Sequence, residues 1–218
     1  MAGSLLIVAA PSGAGKTSLV RALLAARPRV RLSVSFTTRP PRPGEIDGRD
    51  YCFVSRERFE ELNAQGKLLE WATVHGNLYG TSREWIESQM AQGNDIVLEI
   101  DWQGAAQILQ QFPNAVSIYV LPPSMEALRA RLIGRAQDAA AVIERRVGAA
   151  RTELEQARHF EYVIINQDFK TAAEELVVIA DGARLRFDQQ KSTHLKLFQN
   201  LGIESENSSE NASDAAST

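Results

Sequence analysis

Residues 5–24 read LLIVAAPSGAGKTSLVRALL, and the interpretation of this stretch decides the fold. An apolar run from Leu5 to Ala10 passes into Pro11-Ser12-Gly13-Ala14-Gly15-Lys16-Thr17-Ser18, and Leu19, Leu23 and Leu24 then recur at helical spacing. In such a motif the glycines let successive backbone N–H groups curl around a phosphate. The lysine reaches the β- and γ-phosphates, and the Ser/Thr hydroxyl ligates Mg²⁺. The helix that follows turns its positive end toward the same anion. Ala10 stands where the pattern usually has its first glycine, which a methyl tolerates if the local φ is negative. A glycine-rich turn with an incidental lysine is the bland alternative, but a strand before and a helix after are the context the motif requires. The stretch therefore predicts an ATP-binding loop over Ala10–Ser18, with Lys16 on the transferring phosphate and Thr17 on the metal.

Outward from this loop, short apolar runs recur at 31–36 (RLSVSF), 95–100 (DIVLEI), 117–121 (SIYVL) and 162–166 (YVIIN). With helical patterns between most of them, they predict an α/β fold with a parallel core sheet covered on both faces. Residues 51–81 break the alternation: YCFV, LLEWATV and NLYGT predict short strands of a mixed insertion spanning about 35–90. The arginine-rich segment 124–158 reads as helical, and two amphipathic helices close the chain from 171 to about 201. Expected caps are Ser55, Ser124 and a capping box at Thr171–Glu174, with Gly66 ending the helix that Ser55 opens.

The 218 residues carry a net charge of -3 and one cysteine, Cys52. Glu204, Glu206, Glu210 and Asp214 account for the sign, because 24 basic residues face 23 acidic ones once those four are set aside. A nearly neutral body argues against a nucleic-acid coat or a polybasic membrane binder, and a lone cysteine excludes a disulfide framework. No signal peptide or membrane span is legible at the start, so a cytoplasmic protein is expected. Residues 204–218 are too polar to bury a core and read as a disordered tail. Trp71, Trp85 and Trp102 are expected in the core, and His75, His159 and His194 in structural roles.

A second group of cations occupies residues 39–44, RPPRPG. Prolines stiffen the loop and two guanidiniums hang from it, a combination suited to bidentate capture of an anion. A PxxP ligand for an adaptor domain and a plain solvated turn are the competing readings. There is no NKxD-type guanine-reading segment of the kind that switch GTPases carry.

Residues 33–51 (SVSFTTRPPRPGEIDGRDY), 70–81 (EWATVHGNLYGT) and 98–104 (LEIDWQG), together with the phosphate loop, resemble guanylate kinase of the nucleoside monophosphate kinase group, in its bacterial form. The resemblance runs from about residue 5 to 200. It implies the three-layer P-loop NTPase fold, with core 1–34, 91–123 and 159–203, a GMP-binding insertion at 35–90 and a helical lid at 124–158. It also implies Mg²⁺-dependent phosphoryl transfer from ATP to GMP or dGMP, with no nucleic acid or membrane partner and a homo-oligomer left open.

Carried over by position, the resemblance puts Arg39, Arg42, Tyr51 and Tyr79 on the GMP phosphate and Glu70 and Asp101 on the guanine edge. Ser35 and Thr81 supply hydroxyls toward the base, and Asn166 contacts adenine. Arg131, Arg135 and Arg146 match the lid arginines that close over the phosphates, with Ala136 and the run Ala139–Ala141 departing from the family pattern. Two positions keep a second reading: Asp101 as a carboxylate near Mg²⁺, and Thr81 as the start of a TSRE capping box. Functional alternatives are a non-catalytic guanylate-kinase-like binding module and a kinase for another monophosphate.

Overall fold

Leu5–Ala9 forms strand β1, and all five of its residues are buried. Leu6 and Val8 point into one hydrophobic cluster while Leu5 and Ile7 point into another, so alternate residues of one strand serve two cores. That two-sided burial is why the run carries no polar residue. The computed structural model describes residues 3–74, 76–134 and 140–203. Arg135, Ala136, Ala139, His75 and the tail 204–218 lie outside the described residues.

The chain continues through α1 (Lys16–Ala26), β2 (Val30–Leu32), β3 (Phe36–Thr37), β4 (Cys52–Phe53), α2 (Arg56–Ala64), β5 (Leu68–Val74), β6 (Asn77–Ser82) and α3 (Arg83–Ala91). There follow β7 (Asp95–Glu99), α4 (Trp102–Gln111), β8 (Val116–Leu121), α5 (Met125–Gly134), α6 (Ala140–Glu155), a short 3-10 turn, β9 (Tyr162–Ile165), α7 (Phe169–Ala183), α8 (Phe187–Thr193) and α9 (Leu195–Asn200). The core sheet has strand order β2-β7-β1-β8-β9, and every pairing is parallel. Helices α1 and α7 pack on one face through Leu19, Leu23 and Leu176; α3 and α4 pack on the other through Ile86 and Ile108. This is the three-layer α/β architecture expected from the sequence.

A second, mixed sheet has the order β4-β3-β6-β5. Its own small core is Phe59, Leu62, Leu68 and Leu78, the first two from α2. The Ser55 hydroxyl caps α2 by accepting from the Arg58 N–H, and Gly66 follows its C-terminus at φ 66°. Ser124 likewise accepts from the Ala127 N–H at the start of α5.

Several local expectations are corrected. The run at 31–36 does not form one strand: β2 joins the core sheet and β3 the small one, so the chain changes sheets at Ser33–Ser35. The Thr171–Glu174 capping box is displaced by Asp168, whose carboxylate accepts from both the N–H and the hydroxyl of Thr171. An acidic cap three residues earlier adds a full turn and a charge at the positive helix end. Beyond it are three helices where two were expected, because the chain breaks at Arg184–Arg186 and again at His194. Trp71 is 41% exposed, not core. Among the described residues no helix is long and apolar enough to cross a membrane.

Candidate functional site

Parallel strands end on one side of the core sheet, and the phosphate loop emerges there between β1 and α1. Gly13 and Gly15 take left-handed backbone conformations, φ 93° and 99°. A Cβ on Gly15 would meet the Asn166 Nδ2 at 2.3 Å, so only glycine fits against that amide. The loop is braced from behind through the Ala14 carbonyl, which accepts from Asn166 Nδ2 at 2.7 Å and from Arg131 Nη1 at 3.2 Å. Arg131 also donates to the Asn166 carbonyl at 2.8 Å. Both residues are far away in sequence and reach the loop from β9 and α5.

Lys16 is half-buried and donates to the Ile100 carbonyl at 2.7 Å. Desolvation lowers its pKa below the ordinary lysine value, against the opposing pull of Glu99, Asp101, Glu153 and Glu70. The Thr17 hydroxyl donates to the Glu99 carboxylate. Asp101, two residues on, caps α4 by accepting from the Gly104 N–H at 2.9 Å, and its other oxygen accepts from Gln103 Nε2. Glu99, which the sequence reading passed over, is thus the carboxylate beside Thr17. Its only sequence signal is an acid closing an apolar strand, and Asp101 carries the same signal more conspicuously.

The loop at 39–44 folds over the small sheet. Arg39 donates from Nη2 to both oxygens of Glu45, at 2.8 and 2.9 Å, and from Nε to the Tyr79 hydroxyl at 3.2 Å. Its guanidinium lies over the Tyr51 ring, 5.3 Å from the centroid. Tyr51 and Tyr79 meet edge to face at 5.9 Å. The Arg42 N–H donates to the same Glu45 carboxylate at 2.7 Å. One acid therefore holds both ends of the arginine loop, and sequence reasoning missed it too, although it follows the loop directly. Tyr51 has its pKa pushed up to about 12 by burial and by the charge of Glu99, which ties this cradle electrostatically to the phosphate loop.

Between the two cradles lies Glu70, 4% exposed on β5. The fully buried Thr81 of β6 donates its hydroxyl to Glu70 at 2.6 Å. Burial raises the Glu70 pKa to about 7; the Thr81 hydrogen bond opposes the rise, Asp101 adds to it and Lys16 opposes it. Thr81 is not a helix cap: Ser82 takes that position and accepts from the Trp85 N–H. Ser35 is buried and its carbonyl accepts from the Cys52 N–H.

Asn166 and Arg131 thus meet at the Ala14 carbonyl, Glu70, Thr81 and Asp101 group around Gly104, and Arg39, Tyr51 and Tyr79 pack on one another. Arg146 lies half-buried on α6. The same helix supplies Glu153, whose carboxylate accepts from the Ser12 N–H of the phosphate loop and whose carbonyl accepts from the Tyr119 hydroxyl at 2.6 Å. Nothing in the sequence singles out Glu153.

The guanylate kinase family model matches residues 2–181. The chain belongs to the guanylate kinase family. It is similar to guanylate kinase of Cupriavidus pinatubonensis, 56% identical over 201 residues that cover 92% of this chain and 93% of that one. Guanylate kinase of Ralstonia nicotianae is 55% identical, over 92% of this chain and 91% of its own. The crystal structure of guanylate kinase from Anaplasma phagocytophilum matches with a TM-score of 0.77 at 32% identity, covering 94% of this chain and 97% of that one. Membership in the family agrees with the resemblance read from residues 33–51, 70–81 and 98–104.

Proposed function

We propose that this chain transfers the γ-phosphoryl group of ATP to GMP, and to dGMP, giving ADP and GDP. The observation that carries the reading is geometric: the Glu70 and Asp101 carboxylates meet at Gly104, and Asp101 directly follows Ile100, whose carbonyl accepts from Lys16. A buried acceptor able to read guanine thus lies beside the strand end that holds the lysine of the phosphate loop.

In this reading the N–H groups over Ala10–Ser18 and the Lys16 ammonium bind the β- and γ-phosphates. Arg39, Arg42, Tyr51 and Tyr79 hold the GMP phosphate, with Arg39 set by Glu45 before substrate arrives, which lowers the ordering cost of binding. The Glu70 carboxylate accepts from guanine N1–H and the N2 amine, while Ser35, Thr81 and Asp101 complete the base pocket. Asn166 flanks adenine.

An oxygen of the GMP phosphate attacks the γ-phosphorus in line as the bond to ADP breaks, with no covalent enzyme intermediate. Arg131, Arg135 and Arg146 stabilise the transferring charge when the segment 124–158 closes and excludes water. The insertion 35–90 carries the GMP site beside the core 1–34, 91–123 and 159–203.

The oxygen donors of Thr17 and Glu99 suit Mg²⁺, and no cluster of three metal-ligating side chains exists among the described residues, so the ion would be held jointly with the nucleotide phosphates. When bound, Mg²⁺ neutralises charge on the phosphates. The cytoplasm is the proposed site of action.

The test is ADP release measured with GMP, dGMP, AMP, CMP, UMP and dTMP as acceptors, with Lys16→Ala as the inactive control. Turnover confined to GMP and dGMP supports the reading. Equal turnover with AMP, or activity retained by the control, would overturn it.

A further inference from the structure

The opposite, N-terminal edge of the core sheet lies about 17 Å from the phosphate loop along β1, at ~3.3 Å per strand residue. There a cavity of about 100 Å³ is walled by Ser4, Arg29, Asp95, Arg184, Gln190 and His194. These residues come from the entries to β1 and β7, the α1–β2 turn, the end of α7 and the body of α8.

Asp95 is buried and both its oxygens are engaged, Oδ1 by the Ser4 N–H at 2.9 Å and Oδ2 by Arg184 Nη1 at 3.2 Å. The Ser4 hydroxyl is buried and has no hydrogen-bond partner among the described residues. A buried hydroxyl left unpaired costs free energy that a bound acceptor would recover. Gln190 donates its amide to the Arg184 carbonyl, which fixes α8 against the end of α7.

We propose that this cavity is a binding site for a small tetrahedral oxyanion of the phosphate class. The charge favours it: two guanidiniums against one carboxylate leave a positive site even with His194 neutral. The lining favours it too, because Ser4, Arg29, Arg184 and His194, which carry N–H or O–H groups, border the same space and the Ser4 hydroxyl is unpaired among the described residues. Asp95, the one acid, has its acceptors already taken. A cavity of about 100 Å³ has room for a small ion such as phosphate. An anion here contacts the sheet and α8 together, so it clamps the C-terminal helices to the N-terminal ends of β1 and β7.

The test titrates the ¹⁵N-labelled full chain, saturated with ADP and GMP, with inorganic phosphate at constant ionic strength. Both nucleotide sites are then filled, and the result does not depend on which acceptor the enzyme phosphorylates. Saturable shifts are expected at the amides of Ser4, Gly93 and His194. The dissociation constant should rise about tenfold in Arg29→Gln, the loss of one charge-assisted contact, and also rise in Ser4→Ala. Arg29 is exposed and the Ser4 hydroxyl is unpartnered, so both variants should keep the fold; thermal midpoints without phosphate check this. Absence of saturable shifts at these amides overturns the proposal. So do identical titrations in both variants, or shifts confined to the phosphate loop and residues 39–44.

Discussion

The Thr81 hydroxyl donates to the Glu70 carboxylate across 2.6 Å, and both residues are shut away from solvent. One carboxylate oxygen is thereby anchored, and the other lies against Gly104 at the start of α4. Thr81 occupies one acceptor position on Oε1, and an ionised carboxylate has about four, so Glu70 can still accept from two further donors.

Glu70→Gln tests what that acceptor reads. A glutamine amide keeps one acceptor but presents one donor, so one of guanine's two donors would face another donor. An unpaired buried donor costs about 1–3 kcal/mol, and kcat/KM for GMP should fall roughly tenfold to a thousandfold. Inosine monophosphate lacks the N2 amine and should lose less, which narrows the GMP-to-inosinate ratio. Steady-state kinetics of both substrates on both proteins measures it; an unchanged ratio would leave Asp101 as the acidic reader.

The raised pKa of Glu70 gives the GMP affinity a pH dependence. In the proposed reading guanine needs the ionised carboxylate, and burial pushes the Glu70 pKa up to about 7. At pH 6 about one site in ten is competent, so the apparent KM for GMP should be roughly tenfold above its value at high pH. The stability effect has a definite sign. The folded pKa of about 7 lies above the ordinary 4.5, so the native state holds a proton that the unfolded chain releases. Stability from this group is full below the lower value and is lost as pH rises through the upper one. Thermal midpoints and KM followed from pH 5 to 8, with Glu70→Gln as reference, should show both trends in the native protein and neither in the variant.

Gly104 lies in the first turn of α4, where a Cβ would stand 2.4 Å from Glu70 Oε2 and 3.0 Å from its carboxyl carbon. Glu70 is buried and held by Thr81, so it has little room to yield. Alanine is otherwise the better helix former by about 1 kcal/mol. Gly104→Ala should nevertheless lower the thermal midpoint and raise KM for GMP by about an order of magnitude, with ATP binding unchanged. A higher midpoint with normal kinetics would mean that Glu70 can move aside freely.

Arg42→Ala tests the proposed division into two phosphate sites. The Arg42 N–H stays bound to Glu45, so the loop keeps its shape and only the guanidinium is removed. Truncating a guanidinium–phosphate pair in a closed site costs about 2–5 kcal/mol. The KM for GMP should rise at least tenfold while ATP affinity, measured by titration with a non-hydrolysable analogue, stays within about twofold. Collapse of ATP affinity instead would show that the two sites have been divided wrongly.

Much of this protein was determined by local sequence. β1, the phosphate loop and α1 follow from a continuous stretch of apolar run, glycines and helical spacing, because each of those preferences acts over only a few residues. The stiff arginine loop was legible for the same reason. What only the tertiary structure decided are contacts between distant residues and choices between neighbours with similar chemistry. Two acids, Glu99 and Asp101, close the same strand; which one meets Thr17 and which caps α4 depends on strand register and on where the helix begins. Asp168, rather than the expected Thr171, caps α7, a choice settled by the turn that leaves β9. Asn166 and Arg131 reach the Ala14 carbonyl across 152 and 117 residues, and Glu153 reaches Ser12 from α6. No local pattern encodes such pairs. They exist because parallel strands deliver their C-terminal ends to one edge of the sheet, a property of the assembled fold.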